Sequence, residues 1–163
     1  MYSKYLHTKS TQKGTGVFTK ISIPANAVIL EFTGDIIPKE QTTFQPSDVL
    51  QVGSNRVIGP SGAIDDFINH SCNPNCLVYI VGNRAFLYSL YEIPVNSELT
   101  FDYSTSSTDL ISEWRMDCKC GSYNCRKTIS GFQYLDEDLK KEYIQKGMVP
   151  VFITNPNFYQ KKW

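Results

Sequence analysis

Three cysteines fall within a short stretch late in the chain: Cys118 and Cys120 flank Lys119, and Cys125 follows. As thiolates they suit a tetrahedral zinc ion, but a closed structural site needs four ligands and this cluster supplies three. The other two cysteines, Cys72 and Cys76, lie far upstream. One of them must complete the site, so the chain has to fold back and bring two distant segments together. Cys72 sits in a Pro/Asn turn whereas Cys76 opens an apparent strand, which makes Cys72 the preferred fourth ligand. Arg126 and Lys127 place positive charge beside what would be a dianionic tetrathiolate centre. The competing reading is three cysteines gathered in a polar turn, and such turns rarely concentrate cysteine.

At 163 residues the chain is long enough for one domain with a sizeable core. Sixteen basic and sixteen acidic residues cancel, so no global positive field argues for direct nucleic-acid binding. No apolar run reaches membrane-spanning length, and the first residues lack the apolar core of a signal peptide. We therefore expect an intracellular protein, cytoplasmic or otherwise not secreted. In a reducing compartment clustered cysteines hold metal more often than they form disulfides.

Glycine and proline cut the chain into short β-branched and aromatic segments. Residues 17–23, 28–32, 76–81, 85–90 and 98–103 read as strands. Gly82-Asn83 marks a two-residue hairpin between two of them. A short helix is expected over 108–115, with Ser107 or Thr108 as cap. A firmer one runs over 136–146, capped by Asp136, braced by Glu137–Lys141 and Glu142–Lys146, and closed by Gly147. The architecture is mainly β, built from small sheets rather than alternating β-α units.

Five blocks, in order, then carry a family resemblance. They are Lys13-Gly14-Thr15-Gly16-Val17-Phe18, Glu31-Phe32-Thr33-Gly34, Phe67-Ile68-Asn69-His70-Ser71-Cys72-Asn73-Pro74-Asn75, Glu98-Leu99-Thr100-Phe101-Asp102-Tyr103, and the late cysteine cluster. Together they resemble the SET-domain family of protein lysine methyltransferases, with the cysteine cluster matching its post-SET zinc motif. The resemblance implies a SET fold of small β-sheets with few short helices and a C-terminal post-SET zinc segment. It also implies a pseudoknot, in which residues 69–75 thread beneath a loop near Tyr103. The corresponding division is a SET domain over 1–105, a post-SET segment over 106–130, and a helical extension over 131–163 packing on the same domain.

The activity the resemblance implies is methyl transfer from S-adenosylmethionine to a lysine ε-amine of a protein or peptide, histone or not. Gly14, Thr15 and Gly16 would bring bare backbone against the cofactor, and Asn69 and His70 would contact it. Tyr103 is the leading catalytic residue, lining a channel between cofactor and substrate lysine. Phe101 stands where the family has Phe or Tyr, and Phe leaves room for di- or trimethylation. One structural zinc would be held by Cys72, Cys118, Cys120 and Cys125. Ile129, Phe132 and Tyr134 are candidates to close over the site.

Two departures stand out. Residues 34–65 carry no tyrosine where relatives commonly place one in the lysine channel, and Asp65-Asp66 replaces a basic residue before Phe67. An acidic rim would suit a basic peptide. Two rival readings share the scaffold: a catalytically silent SET module that binds a protein partner, and a methyltransferase for small molecules or non-histone proteins.

Overall fold

The computed structural model describes residues 1–108 and 114–155. The strands, in chain order, are β1 (Leu6–Thr11), β2 (Gly14–Thr19), β3 (Val28–Phe32), β4 (Ile36–Pro38), β5 (Leu50–Gly53) and β6 (Arg56–Ile58). They continue with β7 (Asn69–His70), β8 (Cys76–Val81), β9 (Arg84–Ser89), β10 (Thr100–Phe101), β11 (Arg115–Asp117) and β12 (Thr128–Ser130). Most pairs are antiparallel: β1 with β2, β11 with β12, and the three-stranded sheets β3-β9-β8 and β4-β6-β5. The exception is β7 with β10, which run parallel, Asn69 opposite Thr100 and His70 opposite Phe101.

Alternation decides which side of each strand is buried. Along β9, Ala85, Leu87 and Ser89 turn inward while Phe86 and Tyr88 are half-exposed. Ile23, Ile29, Leu87, Ile93, Leu99 and Val17 form the fully buried centre of the first core. The hairpin between β8 and β9 turns at Gly82, whose φ of +60° is the left-handed region that favours glycine. The strand expected over 17–23 is displaced: β2 starts at Gly14 and stops at Thr19, and Ile23 keeps only an isolated bridge to Ile93. Its pairing with β1, which the sequence did not suggest, sets those limits.

Late in the chain, α1 (Glu137–Gln145) is capped by Asp136, whose carboxylate accepts the Asp138 N–H at 2.9 Å. Gly147 adopts φ +66° and the Met148 N–H returns to the Tyr143 carbonyl at 2.9 Å, closing the helix as a Schellman turn. The bracing differs from expectation. Glu142–Lys146 forms, but Glu137 pairs with Lys140 and Asp138 with Lys141, both one residue closer than Glu137–Lys141. After α1 comes α2 (Val151–Thr154). Phe132, Leu135, Tyr143 and Met148 form a second core against Leu77 and Leu90, which fastens this segment to the end of the β8–β9 hairpin. Most of the helix expected over 108–115 lies outside the described residues. Among the described residues, no helix is long and apolar enough to cross a membrane.

Candidate active site

The parallel pair β7–β10 sets the geometry of the centre. Ser71 N–H donates to the Phe101 carbonyl at 3.1 Å, and the Asn75 side chain donates to the Glu98 carbonyl at 2.7 Å while accepting the Thr100 N–H at 2.9 Å. Residues 69–75 therefore run beside 98–103, as the expected threading requires. Asn75 carries the contact that a longer ladder would otherwise supply.

Tyr103 leaves β10 and faces two cavities. One, of about 280 Å³, is walled by Phe32, Leu50, Val57, Ile68, Phe101 and Trp114, with Asp48, Asp65 and Asp66 around it. The other, of about 350 Å³, is bordered by Lys13, Gly14, Asn69, His70, Met116 and Ile129. Tyr103 lines both. Its hydroxyl donates to the Ile68 carbonyl at 2.8 Å, and its ring lies 4.9 Å from Phe101 and edge-on to His70 at 5.4 Å. Burial pushes the phenol pKa upward, and the charges of Asp48 and Glu98 add to the rise. The hydroxyl is thus a donor and a wall, not a base.

The glycine segment divides its labour. Gly14 borders the second cavity with φ +102°, and a Cβ there would meet nothing within 4 Å. Gly16 is different: a Cβ would lie 2.5 Å from Glu98 Oε1 and 2.9 Å from Asn69 Nδ2. Those two side chains occupy the space, with Asn69 Nδ2 donating to Glu98 Oε1 at 2.9 Å and to the Thr15 carbonyl at 3.0 Å. Lys13 Nζ completes the row at 2.8 Å from Glu98 Oε2. Neither Thr15 nor Gly16 borders the cavity. Gly16 acts one step back, by letting Asn69 and Glu98 meet.

On the far side of His70 the cysteines converge. Ligand atoms of His70, Cys72, Cys118 and Cys120 lie within 4.8 Å of one another. Cys72 Sγ and Cys118 Sγ are 3.7 Å apart, close to the roughly 3.8 Å edge of a tetrahedron with 2.3 Å zinc–sulfur bonds. Cys125 joins through Cys118, its thiol 3.9 Å from the Cys118 carbonyl oxygen. Cys76 is buried in the first core, its thiol donating to Asn75 Oδ1 at 3.3 Å. Burial pushes the Cys72 thiol up to about 11, and it also raises Cys118. Cys120 is brought down to about 6: burial opposes ionisation, but hydrogen bonds from the Ser122 side chain and neighbouring backbone outweigh it. One thiol is ready to ionise and the two raised ones would lose their protons to a bound cation, so the donor set fits zinc. His70 is itself held neutral, its pKa drawn down to about 4 chiefly by burial, against the pull of Asp102.

Sequence reasoning missed the group beneath Tyr103. Asp102 is fully buried, and Arg126 grips it with two hydrogen bonds of 2.7 Å while Tyr143 of α1 adds a third at 2.9 Å. Arg126 thus serves as the partner of a buried carboxylate, beyond lending charge beside the thiols. A buried acid in a strand-end motif was the available signal. The expected closing residues separate: Ile129 borders the cavity beside Gly14, but Phe132 is buried in the second core, and Tyr134 is turned outward with Arg115 over its ring at 5.0 Å. The aromatic wall missing from 34–65 comes instead from Trp114, whose indole N–H donates to Ser107 Oγ at 2.7 Å.

Residues 14–104, more than half of the chain, match the family model of the SET domain. The chain is 34% identical over 140 residues to the histone-lysine N-methyltransferase NSD3 of Mus musculus, covering 76% of this chain and 9% of that one. An H3 lysine-4-specific histone-lysine N-methyltransferase of Emericella nidulans is 32% identical over 127 residues, covering 68% of this chain and 10% of that protein. Among solved structures, KRYPTONITE in complex with mCHH DNA, an H3(1–15) peptide and SAH superposes with a TM-score of 0.65 at 25% identity. That match covers 76% of this chain and 29% of KRYPTONITE. The chain thus spans about a tenth of the length of the curated relatives it matches.

Proposed function

This chain belongs to the SET-domain family, and on that premise we propose that it transfers a methyl group from S-adenosylmethionine to the ε-amine of a protein lysine. The observation that carries the reading is Tyr103, which lines two separate cavities and is the wall they share. The cavity bordered by Gly14, Asn69 and His70 takes the cofactor, and the one bordered by Phe32, Phe101 and Trp114 takes the lysine. The relatives' names and the SAH and H3 peptide bound to KRYPTONITE support a site that takes both a cofactor and a lysine substrate.

The chemistry asks the protein for alignment and dryness. The lysine nitrogen attacks the sulfonium methyl, the S–CH₃ bond breaks as the N–CH₃ bond forms, and neutral S-adenosylhomocysteine leaves. The amine must be unprotonated to attack. Desolvation between Phe32, Phe101 and Trp114 lowers its pKa and favours proton loss to water before entry. Asp48 and Asp66 at the lysine-side cavity suit a basic peptide. Tyr103 aligns the amine with the methyl group and excludes water. Phe101, buried against Tyr103 and 6.3 Å edge-on to Phe32, brings no hydroxyl to that wall, and we assign di- or trimethylation on that basis.

Cys72, Cys118, Cys120 and Cys125 would hold one structural zinc, whose contribution is to fix the late loop against residues 70–72. The division into a SET domain over 1–105, a post-SET segment over 106–130 and an extension over 131–163 belongs to the same proposal. The second core supports the docking of the extension.

Calorimetric titration with S-adenosylmethionine, followed by incubation with labelled cofactor and histones, tests the proposal. Saturable binding and label on lysine are expected, with Tyr103→Phe lowering kcat by about 10²-fold through loss of the hydroxyl that aligns the amine. Absence of any affinity for the cofactor overturns the enzyme reading in favour of a protein-binding module.

A further inference from the structure

We propose that His70 is the positioning residue that ties the zinc centre to Tyr103, donating its Nε2–H to the Cys72 sulfur while its Nδ1 accepts the Tyr103 backbone N–H. His70 is therefore an outer partner of the metal site and not one of its ligands. The inference rests on the zinc and methyl-transfer reading above and gives the His70 ring a role beyond bordering the cofactor cavity.

A neutral imidazole has one donor nitrogen and one acceptor nitrogen. Nδ1 lies 3.2 Å from the Tyr103 nitrogen, which has only a hydrogen to offer, so Nδ1 must accept. The one group that could reverse this is Asp102, whose Oδ1 is 3.5 Å from Nδ1. Its oxygens are already taken. Oδ1 accepts from Arg126 Nη2 at 2.7 Å and from the Ser104 N–H at 3.1 Å. Oδ2 accepts from Arg126 Nη1 at 2.7 Å and from Tyr143 at 2.9 Å. Four donors fill the roughly four lone-pair sites of a carboxylate. The ring proton therefore sits on Nε2, 3.3 Å from Cys72 Sγ. A nitrogen that carries a hydrogen cannot coordinate a metal.

Cys72 then receives two N–H donors, from His70 and from the Arg126 backbone at 3.4 Å. Both favour its thiolate form, and neither occupies a ligand position. The fourth ligand falls to Cys125, whose thiol lies 3.9 Å from the Cys118 carbonyl oxygen, just outside the group of His70, Cys72, Cys118 and Cys120. Through one rigid ring the position of the Cys72 sulfur is passed to the Tyr103 backbone, with the two rings packed edge-on at 5.4 Å. Outer partners of this kind typically tune metal affinity or activity by about 10–100-fold.

The test uses the full chain carrying His70→Ala, His70→Asn, His70→Gln or Cys125→Ser. Asn keeps an acceptor near the Nδ1 position, and Gln keeps an N–H near the Nε2 position. Zinc affinity is measured against a chromophoric chelator, the ligand set from the spectrum of the cobalt-substituted protein, and kcat and KM on histone H3 with labelled cofactor. We expect zinc affinity to fall about 10–100-fold in His70→Ala and His70→Asn and to stay close to wild type in His70→Gln. The kcat should fall in His70→Ala and His70→Gln with KM steady. The cobalt spectrum should keep its thiolate intensity in every His70 variant and lose part of it in Cys125→Ser. A cobalt spectrum altered by His70→Ala but not by Cys125→Ser makes His70 a ligand and overturns the inference. So does indistinguishable zinc affinity of His70→Asn and His70→Gln. A wild-type chain that binds no zinc overturns the zinc reading together with this inference.

Discussion

The guanidinium of Arg126 meets the carboxylate of Asp102 edge to edge, Nη1 to Oδ2 and Nη2 to Oδ1, both at 2.7 Å. Asp102 immediately precedes Tyr103, and Arg126 immediately follows the last cysteine of the cluster. One bidentate pair therefore joins the base of Tyr103 to the loop of the late cysteines. Its geometry is the strong form of a charge-assisted hydrogen bond.

Removing Arg126 leaves the Asp102 carboxylate buried without its counter-charge, with only the Ser104 N–H and Tyr143 hydroxyl as donors. Arg126→Ala should destabilise the chain by about 3–5 kcal/mol, measured by denaturant unfolding of the zinc-loaded protein. A loss below about 1 kcal/mol, the range of surface pairs, would show that solvent reaches Asp102.

Tyr143 extends the same network into α1. Tyr143→Phe keeps the ring in the second core and deletes the hydrogen bond to Asp102, so roughly 1.5–3 kcal/mol should be lost. Tyr143→Ala should cost more, because the second core loses a buried ring as well. Equal losses for the two variants would assign the effect to the hydrogen bond alone, and no loss in Tyr143→Phe would assign it to packing.

Gly16 and Gly14 should respond in different ways to Ala. Gly16→Ala pushes Glu98 and Asn69 apart, and loss of about one hydrogen bond's net worth corresponds to roughly tenfold weaker cofactor binding. Gly14→Ala meets open space but must hold φ +102°, so it should lower the melting temperature. Calorimetric cofactor titration and thermal unfolding separate the two. Unchanged cofactor affinity in Gly16→Ala would count against the role given to Asn69.

Product multiplicity is read by mass spectrometry of a methylated substrate. Wild type should carry substrate past the monomethyl stage, and Phe101→Tyr should shift the distribution towards monomethyl-lysine by introducing a hydroxyl beside Tyr103. Identical distributions, both purely monomethyl, would refute the assignment to Phe101.

Metal removal should act on the fold before the chemistry. A strong chelator, or Cys120→Ser, should lower the melting temperature and weaken cofactor binding together, since Ile129 and Met116 border the cofactor cavity from the strands that flank the cluster. Insensitivity to both treatments would remove zinc from the account.

Much of this arrangement was legible in the chain. The cysteine spacing demanded a distant fourth ligand, and the structure sets Cys72 beside Cys118 while Cys76 lies in the core. Strands β3 and β8 coincide with the segments read from residue type, and the 136–146 helix begins at its capping aspartate. What escaped notice lacked a local pattern. β4, β5 and β6 are three or four residues long, too short for alternation to register. Trp114 lines the cavity beside Phe32 and Phe101 with its indole held by Ser107, and Phe132 is packed into the second core.

Residue order alone determined the chemistry available to this protein: which side chains can bind metal, which glycines turn, and which motif residues stand in a family's order. Those are properties of covalent neighbours and of side-chain type. The tertiary structure alone decided that Asp102, Arg126 and Tyr143 form one hydrogen-bonded unit, which His70 joins only through the Cys72 sulfur. Their positions span much of the chain, and a buried carboxylate selects its partners by geometry and desolvation, neither of which is written into local sequence.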